Sequence, residues 1–351
     1  MQTDLFDVTI IGGGPAGLYS AFYSGLRHMK TKLIDAHPSL GGKMHVYTEK
    51  TIWDVGGVPP IKGEALIKQL TDQALTFDPT VVLNEKVTVI TRGKDETFTL
   101  TTASGQRHWT KAIIIAVGGG ILHPKRLEAE ATLTKPATNL YHTMPTLTQF
   151  KDKRVLISGG GNSAIDWARL LEPIAHEVTL TYRKETPTAH ERSVKELLSS
   201  SVAVFPQHAI TALKTDDETG VVENVSLTHV ETDDATTISV DAVIVNHGYE
   251  KDTSLLDESD LALERINDFY LAGTAEGKTS LSGIYAAGDI ISYPGKVNLI
   301  AGCFQDAVNA VNQAKMYTEP EADRFGMVSS HHQELKEKTQ KASELNDDKE
   351  E

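Results

Sequence analysis

Phe6-Asp-Val-Thr-Ile-Ile-Gly12-Gly-Gly14-Pro15-Ala16-Gly17-Leu18 is the stretch whose reading decides the fold. Val8, Ile10 and Ile11 form a β-branched run of the kind a buried central strand carries. Gly12, Gly14 and Gly17 follow at G-x-G-x-x-G spacing, and Pro15 and Ala16 lead into an apolar run that predicts a helix. Each glycine has a mechanical reason: a tight turn, close backbone approach to a pyrophosphate, and close packing of helix on strand. The pyrophosphate belongs at the helix N-terminus, where N–H groups and the macrodipole favour an anion. A second strand, Lys32-Leu33-Ile34, ends in Asp35, where this fingerprint places an acid. Its carboxylate accepts hydrogen bonds from the ribose 2′- and 3′-hydroxyls and repels a 2′-phosphate. The first site therefore predicts FAD or NAD rather than NADP.

The second half repeats the pattern. Arg154-Val-Leu-Ile-Ser158 predicts a strand, followed by Gly159, Gly161 and Ala164 at G-x-G-x-x-A spacing with Asn162 and Ser163 between them. A helix over Ser163–Leu171 and a strand over Val178–Tyr182 complete the unit. Where the first unit has Asp35, this one has Arg183-Lys184, cations suited to charge-assisted hydrogen bonds with a ribose 2′-phosphate. The second site predicts NADP(H). Two dinucleotide sites of opposite ribose preference describe an enzyme in which bound FAD takes a hydride from NADPH, so that the cofactors supply the chemistry. No side-chain nucleophile and no metal is required.

Between the two fingerprints, Pro38–Lys43, Tyr47–Lys50 and Trp53–Gly57 are glycine-rich and aromatic, a composition suited to a loop wrapping a planar ligand. Ile61–Leu75 predicts a helix, Val81–Ile90 and Thr97–Thr102 predict strands, and Ala112–Val117 predicts a buried parallel strand. The run Gly118-Gly-Gly120 that follows is a natural crossing point between domains. The chain's 351 residues are long enough for two domains. A formal charge of −14 argues against binding to nucleic acid or an anionic membrane, both of which select basic surfaces. No apolar run approaches a membrane span, and Met1–Asp7 lacks the basic start and apolar middle of a signal peptide, so a cytoplasmic location is expected. Cys303 is the single cysteine, which excludes an internal disulfide. Glu334–Glu351 holds seven acids and four lysines and reads as a frayed helix or a disordered tail.

Gly12–Gly17, Gly159–Ala164 and Ala286-Ala-Gly-Asp289 occur in the order seen in two-domain flavoprotein reductases of the thioredoxin-reductase type, which the chain resembles. Those enzymes pass electrons through a C-x-x-C pair, and residues 1–302 contain no cysteine. The chain is more similar to the thioredoxin-reductase-like ferredoxin–NADP reductases, which dispense with the dithiol. That similarity runs over residues 6–333 and includes Leu171–Ala175, Ala189-His190-Glu191 and Gly295–Ile300.

The resemblance implies an α/β fold of two Rossmann-like three-layer domains, the NADP domain inserted into the FAD domain. FAD-domain segments over 1–118 and 250–330 would flank an NAD(P)H domain over 119–249, with 331–351 as extension and acidic tail. It implies electron transfer to ferredoxin or flavodoxin, and a homodimer. Tyr47 would stack on one flavin face and His331 or His332 on the other. Asp35, Gly42, Lys43, Val87, Leu122, Asp289 and Gln333 would join Gly12, Gly14, Pro15, Ala16 and Gly17 around FAD. Four positions depart from the family pattern: Lys43 replaces a glutamine, Lys184 and Thr188 replace arginines, and Cys303 replaces a glycine. Loss of the arginine forks would weaken discrimination for NADPH over NADH. A reductase of small acceptors such as quinones or flavins, and a flavoprotein that senses redox state without turnover, are the alternative readings.

Overall fold

The computed structural model describes residues 4–120, 122–259 and 261–347. The chain divides into two compact units, residues 1–121 with 251–351, and residues 122–250.

In the first unit, β1 (Leu5–Ile11) feeds through the glycine turn into helix α1 (Pro15–Leu26), and the chain returns as β2 (Thr31–Ile34). β1 pairs in parallel with β2 on one side and with the strand Arg107–Ile115 on the other. β2 in turn pairs with Thr80–Val82, also in parallel. The decisive addition comes late in the chain. Ile284–Ala286 joins the same sheet in parallel on Ile113–Ile115, with Ala286 opposite Ile115 and Ile115 opposite Ile11. Ile11, Ile34, Ile115 and Ala286 therefore all end on one edge of the sheet, where doubly wound folds bind their ligands.

The strands are apolar on both faces because both are covered. Val8, Ile10, Leu33, Ala112 and Ile114 pack against α1, the helix Gly63–Ala74 and the helix Ile300–Thr318. Ile11, Ile34, Ile113 and Ile115 pack on the other side with Val87, Ile90, Phe98 and Leu100, from an antiparallel meander. Strand Arg107–Ile115 belongs to both layers: Arg107–Thr110 pairs with Phe98–Thr101, β1 pairs from Trp109 to Ile115, and Ile284–Ala286 pairs with Ile113–Ile115. The alternating stretch Val81–Ile90, which reads as one strand, is two. Thr80–Val82 stays beside β2, Asn84 turns the chain at φ +57°, and Val87–Arg92 starts the meander. Within that turn, Glu85 N–H donates to Asp35 O at 3.1 Å and Asn84 N–H to His37 O at 3.1 Å. Backbone hydrogen bonds thus decide a break that periodicity cannot show.

The second unit has the same three-layer plan. Five parallel strands run in the order Leu140–Tyr141, Ala242–Val245, Arg154–Ser158, Glu177–Tyr182, Ala203–Pro206. The helix after the second glycine turn spans Asn162–Leu171. Val155, Ile157, Leu180 and Ile244 face the helical layer with Ile165 and Trp167. Leu156 and Val243 face a second antiparallel meander through Ile210, Val225 and Leu227.

Lys86 Nζ to Asp252 Oδ2, 2.5 Å, ties the start of the first unit's meander to the returning segment. Burial pushes the Asp252 carboxyl up. The Lys86 ammonium, the Ser254 hydroxyl (2.6 Å) and the Ser254 N–H (3.0 Å) outweigh it and hold the group at about 2. A carboxyl depressed in this way contributes stability that is complete above its unfolded value of 3.8 and is lost as pH falls towards 2. The lowering corresponds to about 2 kcal/mol. Between about pH 5 and pH 2.5, the urea midpoint of the wild type should fall more steeply than that of Asp252→Asn. Equal slopes would show that this pair has no part in the acid sensitivity.

Candidate functional site

At the first glycine turn, the positions a side chain would occupy are filled or open according to need. Gly12 has φ +107°, and a Cβ there would lie 2.5 Å from Ala116 O. A Cβ on Gly17 would lie 1.8 Å from Gly12 O, so α1 sits against its own turn only because this residue is glycine. Gly14 is different: an added Cβ would meet only Gly42 Cα, at 3.8 Å. Gly42 approaches from the other side at φ +56°, and its own Cβ would come within 2.8 Å of Gly14 Cα. Gly14 and Gly42 thus leave a shallow cradle of backbone at the start of α1, whose opening N–H groups have no partner within the helix. Pro15 occupies the first helical position, where a missing N–H costs nothing, and Ala16 is buried behind it.

Asp35 is buried at the end of β2 and held from two sides. Its Oδ1 accepts from His37 N–H at 2.7 Å, and its Oδ2 accepts from Gly13 N–H. Those bonds use about half of a carboxylate's acceptor capacity and leave lone pairs for a ribose diol. The residues present therefore fit a dinucleotide: glycine backbone for the pyrophosphate and an oriented acid for the ribose.

The other end of the site is built from three elements. Tyr47 closes the 3-10 turn Gly42–Tyr47, Asp289 follows Gly288 after strand Ile284–Ala286, and Cys303 lies in the first turn of the helix Ile300–Thr318. Burial pushes the Tyr47 hydroxyl up to about 12, helped by the charges of Asp289 and Asp54, so it is neutral at any working pH. Lys43 is exposed in the same 3-10 turn. Val87 is buried in the core at the start of the meander, just after Asn84 and Glu85, whose N–H groups donate to His37 O and Asp35 O. Leu122 opens the short strand Leu122–Pro124, but its side chain lies outside the described part of the chain.

The C-terminal residues behave otherwise than expected. His332 is only 1% exposed, stacked on His28 with ring centroids 4.7 Å apart and set edge-on to Phe77 at 5.1 Å. His28 lies just beyond the end of α1, and twelve residues of helix separate that end from the glycine turn, about 18 Å. His331 is exposed beside this anchor, so within its own chain it is not brought to the cradle. Gln333 is likewise exposed and donates to Glu337 Oε1 at 3.0 Å in the helix Gln333–Asp347. Within its own chain the structure thus places His331, His332 and Gln333 at the far end of α1, away from the first glycine turn. The reason is apolar burial: His28 and Phe77 offer His332 an aromatic slot. The tail is a helix over its described part, tied down where Lys338 donates to Thr76 O and faces Asp78.

In the second unit, the turn repeats the same construction. Gly159 has φ +150° and an added Cβ would lie 2.5 Å from Asn246 O, while one on Gly161 would meet nothing within 4 Å. Asn162 and Ser163 are exposed at the helix start, and Asn162 Oδ1 accepts His190 N–H at 2.9 Å. Thr188 N–H donates to Gly160 O at 2.7 Å, laying the Thr186–His190 loop across the turn. Arg183 and Lys184 are exposed, and neither side chain has a carboxylate partner among the described residues.

Sequence reasoning missed His247, whose Nε2 lies 2.8 Å from Ser158 Oγ at the strand end. Burial holds its pKa low, and the Arg183 and His142 charges lower it further. It also missed Asp306 and Lys296. The helical spacing of Cys303, Asp306, Ala307, Ala310 and Ala314 puts an acid on a buried face, a signal that was there to be read. Among the described residues there is no His, Cys, Asp and Glu group that could hold a metal, and no helix long and apolar enough to cross a membrane.

Residues 6–314 match the family model described as pyridine nucleotide-disulphide oxidoreductase. The chain is 54% identical over 337 residues to ferredoxin–NADP reductase 1 of Bacillus mycoides, covering 96% of this chain and 97% of that protein. It is 53% identical to ferredoxin–NADP reductase 2 of Exiguobacterium sibiricum, covering 96% of each. Among solved structures it is similar to T. acidophilum thioredoxin reductase, with a TM-score of 0.72 at 24% identity, covering 91% of this chain and 99% of that one. That likeness is one of fold.

Cys303 is buried, and burial with the nearby Asp289 and Asp306 charges pushes its thiol up to about 12 against the pull of Lys296. A thiol so placed is a small apolar group and a poor nucleophile. Native protein at pH 8 should release far less than one equivalent of thiol-reagent chromophore, and one full equivalent after unfolding in guanidinium. Rapid stoichiometric release from the native protein would show that the thiol is reactive.

Proposed function

The chain belongs to the pyridine nucleotide-disulphide oxidoreductase family, and we propose that within it the chain works as a ferredoxin–NADP reductase. The observation that carries this reading is a pair of like-built dinucleotide turns with opposite charge at the ribose end, Asp35 in one and Arg183 in the other. The single cysteine leaves no dithiol to relay electrons to a disulfide, so the acceptor must take them from the flavin. Bound in the first unit, FAD would supply the redox chemistry that links a two-electron nicotinamide donor to a one-electron carrier protein.

The chain's own residues bind and orient. Gly12, Gly14 and Gly42 present backbone to the FAD pyrophosphate, and Asp35, fixed by Gly13 and His37 N–H groups, takes the adenosine ribose. Tyr47, neutral and half-buried, offers an aromatic face, and Asp289 an acceptor at the same end. In the second unit Gly159, Gly161, Asn162 and Ser163 would hold the NADP pyrophosphate, with Arg183 and Lys184 at the 2′-phosphate. Thr188 is pinned to Gly160 and brings no guanidinium there. The same reading takes ferredoxin or flavodoxin as acceptor and a cytoplasmic homodimer as the working form, supported by the resemblance.

Arg183→Ala should raise KM for NADPH about tenfold or more, as expected from the loss of a charge-assisted hydrogen bond, and leave KM for NADH within about twofold. Equal effects on both nucleotides would remove Arg183 from the phosphate site. Function itself is tested by anaerobic stopped flow. The yellow protein should bleach rapidly with NADPH and reoxidise rapidly on mixing with ferredoxin or flavodoxin. Fast bleaching with an indifferent carrier would point to a reductase of small acceptors, and no bleaching would point to a sensor.

A further inference from the structure

Asp306 is 2% exposed on the inner face of the helix Ile300–Thr318, yet its carboxylate has three donors. It accepts from Lys296 Nζ at 2.5 Å, Tyr293 Oη at 2.6 Å and Gly288 N–H at 3.1 Å. Lys296 is 7% exposed and also reaches Val297 O at 3.3 Å. An ion pair removed from water to this degree is a poor device for stability, because desolvation of both ions cancels much of their attraction and apolar residues of like volume would serve as well. Its geometry suggests another use. Gly288 has φ +79°, and a Cβ there would lie 2.8 Å from Ala16 Cβ, so this turn is wedged between the first turn of α1 and the Asp306 carboxylate. The next residue is Asp289, whose charge acts on both the Tyr47 hydroxyl and the Cys303 thiol.

We propose that Lys296 and Asp306 are positioning residues that hold the Gly288-Asp289 turn and, as a charge-neutral buried pair, set the reduction potential of the flavin bound beside it. This rests on the assignment of FAD to the first unit. With the pair intact, its two charges cancel, and the turn presents Asp289 alone. If the Asp306 charge is lost, the Lys296 cation is uncompensated and favours the more negative, reduced flavin. If the Lys296 charge is lost, a second carboxylate faces the site and disfavours it.

The test uses full-length holoenzyme, with FAD dissociation constants and dye-equilibrated midpoint potentials for the wild type and four variants. Lys296→Met should lower the potential and Asp306→Asn should raise it. Each shift should correspond to about a tenfold change in relative affinity for reduced over oxidised FAD, or about 30 mV for a two-electron couple. Asp306→Asn keeps an oxygen for Gly288 N–H. The double variant Lys296→Met with Asp306→Asn, which buries no lone charge, should return towards the wild-type potential, and Lys296→Arg should match it. Shifts in the same direction for both single variants, or no shift while FAD stays bound, would overturn the proposal. So would weakened FAD binding without a change in potential. A wild-type protein that binds no FAD would instead overturn the assignment on which it rests.

Discussion

The parallel pairing of Ile284–Ala286 onto Ile113–Ile115 is the constraint on which the first unit's site depends. Without it, the glycine turn after β1 and the Ala287–Asp289 turn, more than 270 residues apart in the chain, would have no reason to meet. With it, register does the work: Ala286 lies opposite Ile115, which lies opposite Ile11, so the segments that follow emerge from one edge. The helix Ile300–Thr318 then packs against α1 and delivers Cys303 and Asp306 to the same place. Strands buried on both faces tolerate this only as continuous apolar runs, as in Ala112-Ile-Ile-Ile-Ala116.

The two units solve one mechanical problem twice. Gly12 against Ala116 O and Gly159 against Asn246 O are the same contact, each 2.5 Å from an added Cβ, and Gly14 and Gly161 each leave space at the helix start. Backbone shape is therefore common to both turns, and selectivity falls to the residue at the end of the next strand. One unit ends β2 in an acid already oriented by two N–H groups, which suits neutral hydroxyls. The other ends Glu177–Tyr182 in exposed cations, which suit a phosphate. A difference of charge after the second strand, on similar scaffolding, separates the two cofactors the chain is proposed to bind.

Local reading located the elements that carry strong periodicity or a turn fingerprint. The strand over Arg154–Ser158 and the helix after it were legible because a both-face apolar run and a glycine turn are short-range signals. It failed where distant backbone decided the outcome. Val81–Ile90 looks continuous, but the Asp35 and His37 carbonyls capture Glu85 and Asn84 N–H groups and divide it. The histidines of the extension were legible as aromatic rings and illegible as contacts, since what buries His332 is His28 and Phe77. Cys303 could be counted from the sequence, but the burial that pushes its thiol up, against the pull of Lys296, could not.

The sequence by itself determined two glycine turns of dinucleotide-binding pattern, the opposite charge that follows each, and the impossibility of a dithiol relay within the chain, because each depends on residue identity at short spacing. Only the tertiary structure decided that Asp289, Tyr47 and Cys303 share one space with the first glycine turn. It alone seated His332 at the far end of α1 and gave Asp306 three donors beneath the Gly288 turn. Those outcomes depend on strand register, helix packing and desolvation, which join residues that no local pattern connects.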